Sequence, residues 1–337
     1  MNKETSMKKQ LMKTLIGALA LGLGATAWAQ AQAQPPGNFL NGATIKLIVP
    51  FAAGGGVDGA ARLLARQMQT RLNVPVIVEN RAGANGTVGG SAVKNAPADG
   101  HTLLFSATTH ILSKQVMAAA PYDPLTDFAP VARVGEAPLL MVISPTLAPQ
   151  KLGEVVTAAK QQPDKWTAAL PAMGAPSHLA TLLFAKQGGL PNLTMIPYKG
   201  TAPALVDVAG GHSQILMDSI VSILPMAKSG KVKPIAVTSA KRSSIAPDIP
   251  TAAEVGMPGL VYLTWYGVWA PKDTPADRVQ FLNQVANEAT AELVKAGSLA
   301  SLGIEPVSET VEQFKKVIAT DSALAGDLLK GAGFKPE

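Results

Sequence analysis

Short apolar runs alternate along this chain with stretches whose apolar residues return at helical spacing, the pattern of layered α/β structure with largely parallel sheets. Residues 45–49, IKLIV, read as a buried strand that Pro50 closes. From Asp58 the apolar residues Ala61, Leu64, Ala65, Met68 and Leu72 share one helical face, and Arg62, Arg66 and Gln69 take the other. Between strand and helix stand Phe51, Ala52, Ala53 and three glycines, Gly54, Gly55 and Gly56. A glycine loop that opens a helix presents free amides and the positive end of the helix dipole, a setting that attracts an anion. That stretch reads as the mouth of a binding site.

The same alternation continues. Strands are predicted at residues 74–79 and 102–107, with a glycine-rich helix start between them at 80–90. Residues 131–143 read as extended with a break at Pro138, and the Ser144-Pro145 step marks a crossing into a second lobe. There the pattern predicts helices over 152–162, 179–186, 202–209 and 219–228, and strands over 193–197, 215–217 and 232–238. An aromatic strand over 260–269 precedes Thr274-Pro275, a cap and first-position proline that start another helix. Two terminal helices, near 311–318 and 321–329, are expected to return to the first lobe.

The first residues change the picture. Lys3, Lys8, Lys9 and Lys13 precede an apolar run over 15–28, and Ala27-Trp28-Ala29 supplies small residues for cleavage. This is the pattern of a secretory signal over 1–29, followed by a flexible leader over 30–41. The net charge of +6 falls to +3 once those four lysines and Glu4 are removed, too mild a balance to argue for nucleic acid. The chain has no cysteine, which excludes disulfides, thiolate metal sites and cysteine nucleophiles.

Several residues invite chemistry. The glycine loop lacks the Lys-Ser/Thr ending of a phosphate loop, and Asp58 reads as a cap or a brace of the loop. Gly83, Gly86 and Gly89 are spaced GxxGxxG, which suits tight turning and close helix packing better than a dinucleotide site. Ser177 and His178 open a helix after Gly174-Ala175-Pro176 and suit capping and carboxylate binding; as a catalytic pair, neighbours in sequence rarely meet correctly. The four histidines show no metal-ligand spacing. Asp218 follows Ile215-Leu216-Met217 at the carboxyl end of a strand, the edge that faces the ligand crevice in open α/β sheets. Of Trp265, Tyr266 and Trp269, at least two are expected in the core.

The blocks PFAAGGGVDGAAR, VENRAGANGTVGGSAVKNAPADGHTLLF, IPYKGTAPALVDVAGGH, IAVTSAKRSSIAPDIPTAAEVG and WYGVWAPKDTP occur in this order. Together they resemble the Bug family of periplasmic solute-binding receptors, the receptors of tripartite tricarboxylate transporters. The resemblance runs from about Ile45 to Lys330. It implies a type II periplasmic-binding-protein fold, two α/β lobes joined by crossing strands with a ligand cleft between them. Lobe 1 is expected over 42–141 and 250–337, and lobe 2 over 142–249.

The resemblance also implies a small carboxylate held by main-chain amides of two loops. One loop carries Phe51, Ala53, Gly54 and Gly55, with Asp58 behind it; the facing loop carries Ala172, Met173, Gly174, Ser177 and His178. Thr108 and Asp218 fall at further cleft positions. No cofactor, metal or catalytic residue is implied. The expected partners are an organic acid and the subunits of an inner-membrane tripartite transporter, for an exported, monomeric protein of the periplasm. A sensory adaptor presenting its liganded form to a receptor kinase has the same site, and a hydrolase using Ser177 and His178 is the remaining alternative.

Departures from the family pattern concern the second loop. Pro171 and Pro176 remove two amide donors and Met173 adds adaptable apolar surface, where the family usually has several Ser and Gly residues. A ligand with an apolar or aromatic body is therefore expected. Gln214 stands where Asp is common and is expected to affect packing. No Lys or Arg lies in either loop, so helix ends and amides must supply the charge complementarity.

Overall fold

β1 (Ile45–Val49) leads into α1 (Gly56–Leu72), followed by β2 (Val76–Asn80), α2 (Thr87–Lys94), β3 (Thr102–Ala107) and α3 (Thr109–Val116). After β4 (Phe128–Ile143) come α4 (Leu152–Gln161), β5 (Thr167–Leu170), α5 (Pro176–Gly188), β6 (Thr194–Pro197), α6 (Thr201–Gly210), β7 (Ile215–Ser219), α7 (Ile220–Lys228) and β8 (Lys233–Val237). β9 (Leu263–Pro271), α8 (Ala276–Lys295), β10 (Glu305–Pro306) and α9 (Val311–Gly331) complete the order. The structure is a computed structural model and describes residues 38–336 except Gly55 and Lys199. The export signal and most of the leader lie outside the described residues.

The strands run in the order β2-β1-β3-β9-β4-β7-β5-β6, with β8 and β10 also pairing β4. β1 pairs β2 and β3 in parallel, as βαβ units require, and β9 joins them antiparallel. β4 carries the chain across. Up to Pro138 it pairs antiparallel with β9; from Leu139 to Ile143 it pairs with β7 on one side and β8 on the other. β5 pairs β6 and β7 in parallel. One sheet thus serves each of two lobes, and they share a strand. The expected break at Pro138 is not an interruption of the strand: it is where β4 changes partners.

Two backbone connections cross between the lobes at this point, and the buried Thr238 ties them together. Its Oγ1 accepts from the Leu139 amide (2.9 Å) and donates to the Tyr262 carbonyl (2.5 Å). Main-chain bonds run alongside, Thr238 N–H to Leu139 O at 3.0 Å and Tyr262 N–H to Thr238 O at 3.0 Å.

The end of the chain differs from expectation. α9 is one helix of 21 residues, not two, with a Thr310/Gln313 capping box. Phe314, Ile318, Ser322, Ala325, Leu328 and Leu329 are buried along it, so the 3.6-residue stripe never breaks. Asp321, at the expected boundary between the two helices, accepts the indole N–H of Trp265 at 2.6 Å. Phe314 stacks edge-on against Trp265, ring centroids 5.3 Å apart, and lies 5.5 Å from Trp269. α3 and β5 have no clear counterpart in the sequence pattern.

The glycines of the second set are packing residues. A β-carbon on Gly89 would stand 2.8 Å from Pro50 Cα, and one on Gly90 would stand 2.2 Å from the Tyr122 hydroxyl. α2 can lie against the end of β1 only because these side chains are missing.

Candidate functional site

A cavity of about 400 Å³ opens between the lobes. Its floor includes Leu139 and Thr264, which flank the partner change of β4. Phe51, Gly56, Val57, Ala107, Thr109 and Tyr266 form the first-lobe wall. The second-lobe wall is Pro171, Ala172, Ala175, Pro176, Ser177, Gly200, Thr201, Asp218, Ser219, Val221 and Ser222.

Five helices begin on these walls. α1 starts at Gly56, α3 at Thr109, α5 at Pro176, α6 at Thr201 and α7 just after Ser219, and all five starting points line the cavity. The caps of α3, α5, α6 and α7 make no side-chain hydrogen bond to their helix. The positive ends of their dipoles therefore border the space between the lobes. No Lys or Arg is among the described lining residues. On the described walls positive potential comes from the backbone, supplemented by the hydroxyls of Ser177, Ser219 and Ser222.

The first loop is braced from behind. Asp58 is buried and its Oδ2 accepts the Gly54 amide at 2.9 Å and Arg62 Nε at 3.0 Å. Its Oδ1 takes Asn80 Nδ2 at 2.9 Å, and the same Asn80 amide group reaches the Phe51 carbonyl at 3.0 Å. Burial works against the charge of Asp58, yet the Arg62 guanidinium, the Gly54 amide and Asn80 hold its pKa below the ordinary carboxylate value. The bracket fixes the loop without placing a carboxylate in the cavity. Ala53 and Gly54 are exposed beside the cavity rather than in its wall, and Gly55 lies outside the described residues.

The second loop is braced in the same way by His178. Its Nδ1 accepts the Gly174 amide at 2.9 Å, and its ring meets Phe334 at 5.7 Å, edge to face. Burial drops its pKa to about 4, so the ring is neutral and available as an acceptor. His178 points away from the cavity and Ser177 toward it, and among the described residues no hydrogen bond joins the two. Met173 is half-buried, and neither it nor Gly174 is in the wall. Thr108 also stands behind: its hydroxyl accepts the Trp265 amide at 2.9 Å and its own amide bonds the Trp265 carbonyl at 3.0 Å. This clip holds the start of α3 against β9.

Of the sequence-derived candidates, the structure therefore brings Phe51, Ala172, Ser177 and Asp218 into the wall, and sets Asp58, Thr108, Gly174 and His178 as supports. Among the described lining residues Asp218 is the one carboxylate. Burial pushes its pKa up, against the Thr201 hydroxyl and the Ser219 amide, which favour the charged form. Thr201 Oγ1 donates to Asp218 Oδ2.

Tyr266 stands across from Asp218, and its pKa is raised to about 12 by burial and then by that neighbouring charge. Strict alternation could have assigned Tyr266: Trp265 and Trp269 face Phe314, and the residue between them in phase with Thr264 must face the other way. Thr109, Thr201 and Ser222 carry no comparable signal. Gln214 is a packing residue, as expected: its Oε1 accepts the Thr167 amide at 2.9 Å and its Nε2 donates to Gly211 O at 3.1 Å. Among the described residues no group of three or more His, Asp and Glu is placed to hold a metal.

Two lobes, a shared crossing strand and an interlobe cavity edged with helix starts define a solute-binding receptor. The family model for the tripartite tricarboxylate transporter family receptor matches residues 60–334, and the chain belongs to this family. It is 37% identical over 293 residues to the protein BugT of Bordetella pertussis, an alignment that spans 86% of this chain and 90% of that one. Among solved structures, the periplasmic binding protein BugD superposes with a TM-score of 0.72 at 33% identity, covering 87% of this chain and 99% of BugD. A protein of R. palustris with adipate gives 0.75 at 31% identity, over 87% of this chain and 98% of that one. MatC from Rhodopseudomonas palustris with bound malate gives 0.71 at 31%, over 85% and 98%.

Proposed function

We propose that this receptor works in the periplasm, closes over one small carboxylate and hands it to a tripartite membrane transporter. The convergence of five helix N-termini on a cavity of about 400 Å³ carries the reading. Each helix start contributes on the order of half a positive charge, and free amides there bind anions. The volume suits a small organic acid. Relatives bound to adipate and malate support the carboxylate class.

In this reading the ligand carboxylate sits among the N-terminal amides of α1, α5 and α6, and the hydroxyl of Ser177 completes its shell. The rest of the ligand lies against Phe51, Val57, Leu139, Val221 and Tyr266. That surface favours an apolar or aromatic body over a second and third carboxylate. We take the lobes to divide as 42–141 with 250–337 against 142–249, closing about the crossing at Thr238, with the chain acting as a monomer. This reading gives Ser177 and His178 no catalytic role, with the Nδ1 of His178 accepting from the loop it braces.

The test is a thermal-shift screen of the mature protein against mono-, di- and tricarboxylates, aromatic acids, acidic amino acids and neutral amides. A rise in Tm for a group of carboxylates and none for neutral amides is the expected result, because a ligand that binds only the folded state stabilises it by mass action. A rise for the neutral amides alone would overturn the carboxylate reading. A receptor kinase in place of a transporter would leave this screen unchanged.

A further inference from the structure

Away from the cavity, where α5 ends and β6 begins, two adjoining hollows of about 360 and 160 Å³ share Gly189, Leu190, Pro191 and Leu193. Chain direction sets their place: α5 starts at the cavity and runs outward, and β6 runs back toward the cavity. The floor is apolar, with Leu182 and Met195 in the larger hollow and Trp166 in the smaller. The last turn of α9 closes the larger hollow through Leu328 and Ala332.

The rim is basic. Lys186 lines the larger hollow and Lys160 the smaller, and a β-carbon on Gly189 would be 3.5 Å from Lys160 Nζ. Lys165 precedes Trp166 in sequence, and Lys330 precedes Gly331 of the wall; all four lysines are exposed. Among the described residues none of the four has an ion-pair partner, although Asp164 and Asp327 are neighbours in sequence of Lys165 and Leu328. Among the described residues no ion pair lies wholly within 142–249, where Arg242 alone reaches out to Glu254, whereas the remainder is laced with them. Three of the four sit in last helical turns, where a helix C-terminus favours a cation. That accounts for their position but leaves their charge free for another molecule.

We propose that this groove docks a protein partner that inserts an apolar side chain flanked by carboxylates. A recessed apolar floor with a basic rim matches such a segment in shape and charge, the floor giving the anchor and the rim the register. A flat anionic lipid surface would meet the lysines and leave the floor unfilled. Because α5 and β6 form one side of the groove and α9 the other, a partner seated here grips both, and the cavity between the lobes stays open to solute.

The probe is a 14-residue helical peptide with Leu at i, i+3 and i+7 and Glu elsewhere, with a Gln-for-Glu analogue, measured against the mature protein by fluorescence anisotropy and amide chemical shifts. The Glu peptide is expected to shift Leu190 and Leu193. It should bind at least tenfold more weakly to a K160E/K186E variant and to bind more weakly at high salt, while the Gln analogue binds poorly. The variant replaces exposed side chains, so an unchanged carboxylate-induced Tm rise reports that fold and cavity are intact. Equal peptide binding by both proteins, shifts confined to other residues, or tighter capture by vesicles of 30% anionic lipid than by the peptide would each overturn the proposal. A missing carboxylate-induced Tm rise would instead count against the cavity reading.

Discussion

Gly174 lies against Val116 so closely that a β-carbon on the glycine would stand 2.2 Å from Val116 Cγ1. The glycine also has a φ of +70°, in the left-handed region. The second-lobe loop therefore seats on the end of α3, an element of the first lobe, through a residue with no side chain. Gly174→Ala is expected to keep the lobes from meeting, lowering carboxylate affinity at least tenfold by calorimetry while circular dichroism is unchanged. Adding Val116→Ala removes the clash but not the backbone strain, so the double variant should recover part of the loss. No recovery would show that strain alone carries the effect.

His178 is a stability residue with a pH signature. Its folded pKa is depressed to about 4, against an ordinary value of 6.5. The neutral ring is favoured in the fold, so its contribution is fully present above pH 6.5 and is lost as pH falls toward 4. His178→Ala should cost about 1–3 kcal/mol at pH 7.5, from the unpaired Gly174 amide and the lost contact with Phe334. The difference in Tm between wild type and variant should narrow between pH 6.5 and 4.5. A constant difference over that range would remove the linkage.

Asp218 has the opposite sign. Burial raises its folded pKa, so the unfolded state holds the charge more easily and stability falls as pH rises through the folded pKa. Asp218→Asn is expected to raise the Tm of the unliganded protein at pH 7.5 and to leave it nearly unchanged at pH 3.5. Scanning calorimetry at the two values decides it.

The Asp58 bracket links a support to the site. Asp58→Asn loses the charge that holds Arg62 and weakens the bond to the Gly54 amide. Because Arg62 is half-exposed, the cost to stability is modest, about 1–2 kcal/mol. Affinity should fall more than stability, since the loop carrying Phe51 is then free to move. A variant with full affinity would separate the bracket from binding.

Tyr266→Phe keeps the apolar face and removes the hydroxyl beside Gly56, to which a β-carbon on that glycine would be 3.8 Å. Affinity should drop about fivefold, the worth of one hydrogen bond. Isothermal calorimetry on the wild type and variant measures it.

Much of this was legible in the sequence, for reasons that differ by element. β1 and α1 declare themselves because an uninterrupted apolar run and a 3.6-residue stripe meet at a glycine loop, and that loop does border the cavity. The supports were harder to separate from the site. His178 looks like a ligand because it stands beside a binding loop, yet like Asp58, which reads as a brace, it accepts from an amide of its own loop. Which way a side chain points depends on partners such as Asn80 and Phe334, distant in sequence. The hydroxyls of Thr109, Thr201 and Ser222 carried no local signal, since serine and threonine near helix starts are ordinary. α9 reads as two helices in the sequence but is continuous, its buried stripe running unbroken past Asp321, which bonds to Trp265 far back in the chain.

The hydroxyl of Thr238 has a consequence for how such a receptor measures its ligand. By holding Leu139 and Tyr262 at once, it makes two connections behave as one torsion bar. If the lobes close as proposed, such a bar would bring them together along a single path, and ligand length would be read as the angle at which that path stops.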